Sequence, residues 1–129
     1  MTDSVADASA ILTLIRGEPG ALDVQRALAD GRVFVSTVNV TEVVTKLLDW
    51  GMDEADAVEA LQELKLISVE YSETTALRAA TLRSDTRSLG LSTGDRACLA
   101  LGLELDLRIL TADRSWARVA LRVPITVIR

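Results

Sequence analysis

The chain has 129 residues, of which 49% are hydrophobic and 26% charged, and its formal net charge is −5. This composition is typical of a soluble globular domain and excludes intrinsic disorder. The absence of histidine and the presence of a single cysteine, Cys98, exclude Ser-His-Asp triads, His-based zinc sites and intrachain disulfides. An enzyme of this composition must therefore use carboxylates, hydroxyls, basic side chains or a metal ion that carboxylates bind.

Strands and helices are predicted to alternate along the whole chain. β-Branched or apolar runs predict strands, and apolar residues at helical spacing between Gly or Pro breaks predict helices. In chain order the predicted elements are a strand at 4–6, helices at 8–15 and 21–30, a strand at 32–36, helices at 39–50 and 53–64, a strand at 66–71, helices at 74–89 and 92–105, a strand at 108–111, a short helix at 115–119 and a strand at 125–128. This alternation indicates an α/β domain with a mainly parallel sheet and helices on both faces.

The sequence contains no linker, repeat or low-complexity segment, so we expect one domain over residues 1–129. The first ten residues carry Asp3 and Asp7 and no basic residue, unlike a signal peptide. No uncharged stretch approaches the roughly 18 apolar residues of a membrane span. We therefore expect a cytoplasmic protein that does not contact a membrane. Because the chain is acidic, binding of nucleic acid would depend on local basic residues or bridging cations.

Four acidic residues occupy positions that a parallel sheet would bring together. Asp7 and Asp113 follow the first and fourth predicted strands, and Glu42 and Asp95 lie in the first turns of predicted helices. In open parallel sheets, functional residues collect at the carboxyl ends of the strands. We therefore expect these acids at one edge of the sheet.

Each of these acids also has a local explanation. Asp7 and Asp113 can be N-caps of the helices that follow them, Glu42 can close a capping box with Asn39, and Asp95 can close one with the serine three positions before it. Capping does not explain why four carboxylates would gather, and converging carboxylates repel one another without cations. An all-carboxylate oxygen set suits Mg²⁺ or Mn²⁺ rather than zinc, and two such ions can support phosphodiester cleavage by water.

Five segments stand in a characteristic order and spacing: VADASAI at 5–11, EPGA at 18–21, STVNVTEV at 36–43, GLSTGDRACLAL at 90–101 and LTADRSW at 110–116. Together they resemble a PIN domain. More closely, they resemble the VapC type of toxin ribonuclease from bacterial type II toxin–antitoxin pairs. The resemblance covers essentially the whole chain.

The resemblance implies a three-layer α/β/α sandwich with a central parallel sheet and a Mg²⁺- or Mn²⁺-dependent endoribonuclease site. The family's catalytic acids fall on Asp7, Glu42, Asp95 and Asp113. Of these, we expect the three aspartates to ligate the metal, with Glu42 as a further ligand or as the acceptor for the attacking water. The family's small hydroxyl residues fall on Ser9 and Thr111, which would orient the carboxylates. The expected products carry 5′-phosphate and 3′-hydroxyl ends.

The resemblance also implies partners. The family is typically homodimeric and is held inactive by a small VapB-like antitoxin, whose C-terminal segment lies in the active-site groove. The substrate would be RNA. Arg96 and Arg114 each follow one of the four acids, so they can contact RNA phosphate or instead pair with those acids. Trp116 can stack on a base or pack its short helix, and Trp50 can belong to a partner surface or to the rim of the core.

Two other functions compete with this interpretation. A non-catalytic PIN-like module would bind RNA or protein without cleaving it, although the intact set of acids argues against that. A phospho-receiver domain would have two adjacent acids after its first strand and a lysine near the chain end. Here Ala8 follows Asp7, and the last lysine is Lys65.

Overall fold

The computed structural model describes residues 2–129, and its centre is a five-stranded sheet. The strands are β1 (Ser4–Ala6), β2 (Val33–Ser36), β3 (Ile67–Val69), β4 (Arg108–Thr111) and β5 (Ile125–Val127). They lie in the order β3-β2-β1-β4-β5, and every neighbouring pair is parallel. The prediction of a mainly parallel sheet is therefore confirmed.

Helices join consecutive strands. They are α1 (Ala8–Arg16), α2 (Ala21–Asp30), α3 (Thr37–Asp49), α4 (Glu54–Gln62), α5 (Glu73–Thr81), α6 (Arg83–Thr86) and α7 (Thr93–Leu105), with 3₁₀ turns at Arg87–Leu89 and Arg114–Arg118. Within residues 2–129, none of these helices combines the length and the hydropathy of a membrane-spanning segment.

The sheet separates two apolar cores, as the alternation of side chains along a strand requires. In β4, Leu110 packs in the core shared with α1 to α4, whereas Ile109 packs in the core shared with α5 and α7. In β1, Ala6 and Val5 divide between the same two cores. Helices therefore cover both faces, which confirms the three-layer α/β/α sandwich.

The predicted helix over 74–89 is wrong as a single element, because the structure breaks it after Thr81. Three hydroxyl side chains in this stretch bond to backbone carbonyls three or four residues earlier: Thr81 to Arg78, Ser84 to Thr81 and Thr86 to Leu82. Such bonds compete with the regular helix ladder. The composition of 81–86 therefore favours short turns over one continuous helix.

Two helices expose a leucine that hydrophobic spacing alone would place inside. Leu77 of α5 is 62% exposed, whereas Thr75 and Ala79 of the same helix are buried. The reason is that Thr75 donates a hydrogen bond of 2.8 Å to the Glu104 carboxylate of α7, so a polar residue occupies the packed face. Likewise Leu22 of α2 is 56% exposed.

Candidate active site

Asp7 lies where β1 ends and α1 begins, and it is buried although it is charged in its ordinary state. Its carboxylate accepts hydrogen bonds from Thr111 Oγ1 at 2.6 Å, Ser9 Oγ at 2.7 Å and the Ala10 amide at 2.8 Å. Burial raises the pKa of Asp7 to about 6, because the three hydrogen bonds offset only part of the desolvation and the charge of Asp95 adds to the rise.

The two small hydroxyl residues connect Asp7 to the segment after β4. Ser9 Oγ accepts a hydrogen bond of 2.9 Å from the Ala112 amide, and Thr111 Oγ1 accepts one of 3.1 Å from the Asp113 amide. Both hydroxyls are therefore donors to Asp7 and acceptors from the chain that carries Asp113. This network fixes the position of Asp7 relative to Asp113, although the two acids are far apart in sequence.

Asn39 holds Glu42 against the first turn of α7. Its amide Nδ2 donates to Glu42 Oε1 at 2.6 Å and to the Gly94 carbonyl at 3.1 Å. A Cβ atom on Gly94 would lie 2.5 Å from Glu42 Oε1, so the missing side chain makes room for this carboxylate. Glu42 thus lies beside the turn that contains Asp95.

The predicted capping box between Asn39 and Glu42 is wrong. Helix α3 begins at Thr37, and its N-cap is Ser36, whose Oγ accepts from the Val38 amide at 3.2 Å. Asn39 is therefore inside the helix and fully buried, where its amide is free to join α3 to α7. The sequence reasoning missed this function because it treated Asn39 only as a cap.

The other local explanations hold. Asp7 caps α1, Asp95 forms the predicted capping box with Ser92, and Asp113 caps the 3₁₀ turn through the Ser115 amide at 2.9 Å. The Asp95 box uses Oδ2, and the Asp113 cap uses Oδ1. Within residues 2–129, the second oxygen of Asp95 and of Asp113 accepts no hydrogen bond. Capping therefore leaves an oxygen of each carboxylate available to another partner.

The four acids meet in one pocket of about 220 Å³. The residues that line it are Asp7, Ala8, Ser9, Leu12, Glu42, Lys46, Asp95 and Asp113. The Cys98 thiol is buried and is affected by the charges of three of these acids. Burial raises its pKa well above the ordinary value, and the charges of Asp7, Asp95 and Glu42 add to the rise. As they stand, no three acidic or thiol side chains among residues 2–129 are arranged to ligate one ion together.

Lys46 lines the pocket and is a second residue that the sequence reasoning missed. The signal that could have found it is its spacing, since it lies four residues after Glu42 and hence on the same helix face. The remaining predicted residues are outside the pocket lining. Arg96 Nη1 donates to the Ala79 carbonyl at 3.1 Å, which ties α7 to α5, and Arg114 is exposed.

The two tryptophans differ in exposure. Trp116 is fully buried in the core, which supports packing rather than base stacking. Trp50 is 45% exposed, and the Arg16 guanidinium lies 4.1 Å from its ring centroid. This cation–π contact joins the ends of α1 and α3.

A larger cavity, of about 500 Å³, lies elsewhere. It is an open groove between α2 and the β4–β5 side of the sheet, and it mixes acidic and basic residues such as Asp23 and Arg26, which form an ion pair at 3.8 Å. Size alone does not identify a site. The smaller pocket gathers four carboxylates, one of them buried, around a single basic residue, and this is the stronger indication of chemistry.

The donor set of the smaller pocket fits a divalent metal ion. It offers carboxylate oxygens and no imidazole or thiolate, and hard cations such as Mg²⁺ and Mn²⁺ prefer oxygen ligands. The raised pKa of Asp7 also fits, because a cation would offset the cost of keeping that buried carboxylate ionised.

Comparison with known proteins gives the same fold. A family model for the PIN domain matches residues 4–121. The VapBC2 complex of Rickettsia felis, solved with a DNA fragment from its promoter, aligns with a TM-score of 0.76 and 10% identity over 97% of this chain and 98% of that one. No curated protein matches this sequence significantly.

Two further solved structures are similar. A toxin–antitoxin complex from Klebsiella pneumoniae has a TM-score of 0.69 and 20% identity over 90% of this chain and 92% of that one. Mycobacterium tuberculosis VapC20, a toxin that cleaves the sarcin–ricin loop, has a TM-score of 0.71 and 16% identity over 91% and 96%. At these identities the likeness establishes a common fold.

Proposed function

Because this chain belongs to the PIN-domain family, we propose that it is a metal-dependent endoribonuclease and the toxin of a VapBC-type toxin–antitoxin pair. The observation that carries the proposal is the meeting of Asp7, Glu42, Asp95 and Asp113 in one pocket at the carboxyl edge of the parallel sheet. A phosphodiesterase site of this kind needs no histidine, which agrees with the composition.

Asp7, Asp95 and Asp113 would hold one or two Mg²⁺ or Mn²⁺ ions. When bound, such an ion lowers the pKa of water and offsets the charge on the phosphate. The free oxygens of Asp95 and Asp113 support this assignment, because capping occupies the opposite oxygen in each. Ser9 and Thr111 keep the Asp7 carboxylate oriented through their hydrogen bonds.

Glu42 is suited to accept the proton of the attacking water. Asn39 already donates to its Oε1, which leaves Oε2 as the proton acceptor and holds the carboxylate in one orientation. The water oxygen then bonds to phosphorus as the bond from phosphorus to the 3′ oxygen breaks. The products carry a 5′-phosphate and, after the departing oxygen takes a proton, a 3′-hydroxyl.

We also propose a VapB-like antitoxin as the protein partner and a homodimer as the assembly. The support for the antitoxin is the fold shared with the VapBC2 complex of Rickettsia felis and with the toxin–antitoxin complex from Klebsiella pneumoniae. The pairing with an antitoxin can be tested in two ways. One is to look for a short neighbouring reading frame that encodes a DNA-binding antitoxin, and the other is to ask whether its product co-purifies with this chain.

The experiment for the activity uses purified wild-type protein, a labelled RNA and either Mg²⁺ or Mn²⁺. We expect cleavage that stops on addition of EDTA and that is lost in Asp95→Asn. The matched control is Asp23→Asn, a carboxylate in the larger groove, which should cleave like wild type. Cleavage by Asp95→Asn at the parental rate would refute the site. Binding of RNA without any cleavage would favour the non-catalytic module.

A further inference from the structure

We propose that Lys46 binds a phosphate of the RNA next to the cleaved bond and is therefore a substrate-contacting residue of this site. The proposal rests on the proposed ribonuclease function and extends it to how the substrate backbone is held. It concerns a residue outside the set of acids and hydroxyls that the sequence singled out.

The position of Lys46 brings it to the acids. It lies on α3 one turn after Glu42, and side chains of an α-helix tilt toward the helix N-terminus. The N-terminus of α3 follows directly from the carboxyl end of β2. The Lys46 side chain therefore leans toward the edge of the sheet where the acids collect, and it lines their pocket.

The charges of the pocket make Lys46 distinctive. Four carboxylates line it, and Lys46 is the only basic residue among its lining residues. The ion pairs found within residues 2–129 all use arginines: Arg26, Arg32, Arg78, Arg122 and Arg129. In the part of the chain that the structure describes, the Lys46 ammonium thus has no carboxylate within 4.0 Å, and it is available to another anion.

A phosphate is the anion that fits. The pocket is negative and the whole chain carries −5, so an approaching RNA backbone needs a local positive group at the point of cleavage. A lysine ammonium is a compact charge on a flexible stem and can follow a phosphate oxygen without reading the base. Arg96 does not line this pocket, and its guanidinium donates instead to the Ala79 carbonyl of α5.

A purely structural function for Lys46 is the competing explanation. As a counter-ion, the ammonium would only reduce repulsion among the four carboxylates. In that case its removal would change folding stability and metal affinity but not the number of phosphates that the protein contacts. The salt dependence of RNA binding separates the two, because each lost phosphate contact on a single strand changes the slope of log K against log salt by about 0.7.

The test compares wild type with Lys46→Gln and Lys46→Arg. The matched control is Lys65→Gln, since Lys65 is the one other lysine of the sequence and is exposed away from the pocket. A fluorescent single-stranded RNA is titrated by anisotropy in Ca²⁺, which limits cleavage, at several salt concentrations. Cleavage in Mg²⁺ or Mn²⁺ gives KM and kcat separately.

For Lys46→Gln we expect about tenfold weaker RNA binding. The slope of log K against log salt should become shallower by about 0.7, and the loss in cleavage should appear mainly as a higher KM. Lys46→Arg should restore the slope, and Lys65→Gln should match wild type. An unchanged slope in Lys46→Gln overturns the proposal, even if that variant is less stable or binds Mn²⁺ differently.

The two proposals fail in different ways. If wild type cleaves RNA and Lys46→Gln keeps the wild-type slope, the ribonuclease proposal stands and the Lys46 proposal is wrong. If wild type binds RNA without cleaving it, the slope still decides the case of Lys46. If wild type neither binds nor cleaves RNA, both proposals are wrong.

Discussion

Thr111 donates a hydrogen bond of 2.6 Å to Oδ2 of Asp7, across 104 positions of the chain. The contact follows from the sheet, because β1 and β4 are parallel neighbours in which Ala6 pairs with Leu110. The residues that follow these pairs therefore emerge side by side at the carboxyl edge. Strand register thus sets the geometry of the candidate site before any ligand binds.

The first prediction concerns this hydrogen bond. Thr111→Val keeps the shape of the side chain but removes a donor from a buried carboxylate, so the pKa of Asp7 should rise further above its present value of about 6. We expect a loss of roughly 1–3 kcal/mol in the free energy of unfolding at pH 7.5. Urea denaturation measures it. Thr126→Val on β5 serves as control and should change stability by less than about 0.5 kcal/mol.

The second prediction is the pH dependence of folding in EDTA. Asp7 has a folded pKa raised from 3.8 to about 6, so the folded protein keeps a proton that the unfolded chain releases. The contribution of this group is favourable below pH 3.8 and is lost as the pH rises toward 6. Asp7→Asn removes the cost of ionisation and retains a helix N-cap. It should therefore stabilise the metal-free protein above pH 6 by up to about 3 kcal/mol.

The measurement is the difference in unfolding free energy between Asp7→Asn and wild type at pH 5 and at pH 7.5. The difference should be larger at pH 7.5. Asp3 supplies a control of opposite sign, because hydrogen bonds from Arg32 lower the pKa of Asp3. Asp3→Asn should destabilise the protein at neutral pH. A difference between Asp7→Asn and wild type that does not depend on pH would show that Asp7 is not strained by burial.

The third prediction uses the glycine beneath Glu42. Gly94→Ala would place a Cβ 2.5 Å from Glu42 Oε1, and the end of that flexible side chain must move away. Because alanine favours a helix more than glycine does, stability should change by less than about 1 kcal/mol, whereas cleavage should fall at least tenfold. Kinetics and thermal unfolding are measured together. Full activity with a shifted Glu42 would remove that carboxylate from the mechanism.

The fourth prediction concerns metal and stability. A ligand present at 100 times its dissociation constant stabilises the folded state by about 2.7 kcal/mol, so saturating Mn²⁺ should raise Tm by several degrees. The rise should be smaller at pH 5 than at pH 7.5, since a proton on Asp7 competes with the cation. Asp95→Asn should lose most of the rise, and Asp30→Asn in the larger groove should keep it. An equal rise in both variants would place the ion elsewhere.

Much of the fold is predictable because each strand is a short apolar run followed by a break. The bounds of β4 and α2 agree with the sequence prediction, and the acids at the strand ends were found from the strand pattern. Hydrophobic spacing failed where polar contacts decide the packing. Thr75 replaces Leu77 on the inner face of α5 because its hydroxyl reaches Glu104 on α7, a partner that only the tertiary structure brings near.

In the candidate site, too, some residues are predictable from the sequence and others are placed by tertiary contacts. The acids follow from strand order, but the position of Asn39 depends on α3 starting two residues earlier than predicted, at Thr37. Its contact with the Gly94 carbonyl joins residues 55 positions apart, and no local pattern encodes such a pair. Lys46 was overlooked because helical spacing gives it a neighbour, Glu42, but not the pocket that both of them line.

The central claim is that Asp7, Asp95 and Asp113 bind a divalent cation, and anomalous diffraction from a crystal soaked in Mn²⁺ tests it most directly. We predict an anomalous peak in the acid pocket, about 2.0–2.3 Å from oxygens of Asp7, Asp95 and Asp113, and its absence in Asp95→Asn. If this pocket shows no anomalous peak at a Mn²⁺ concentration that saturates the Tm shift, the claim is contradicted.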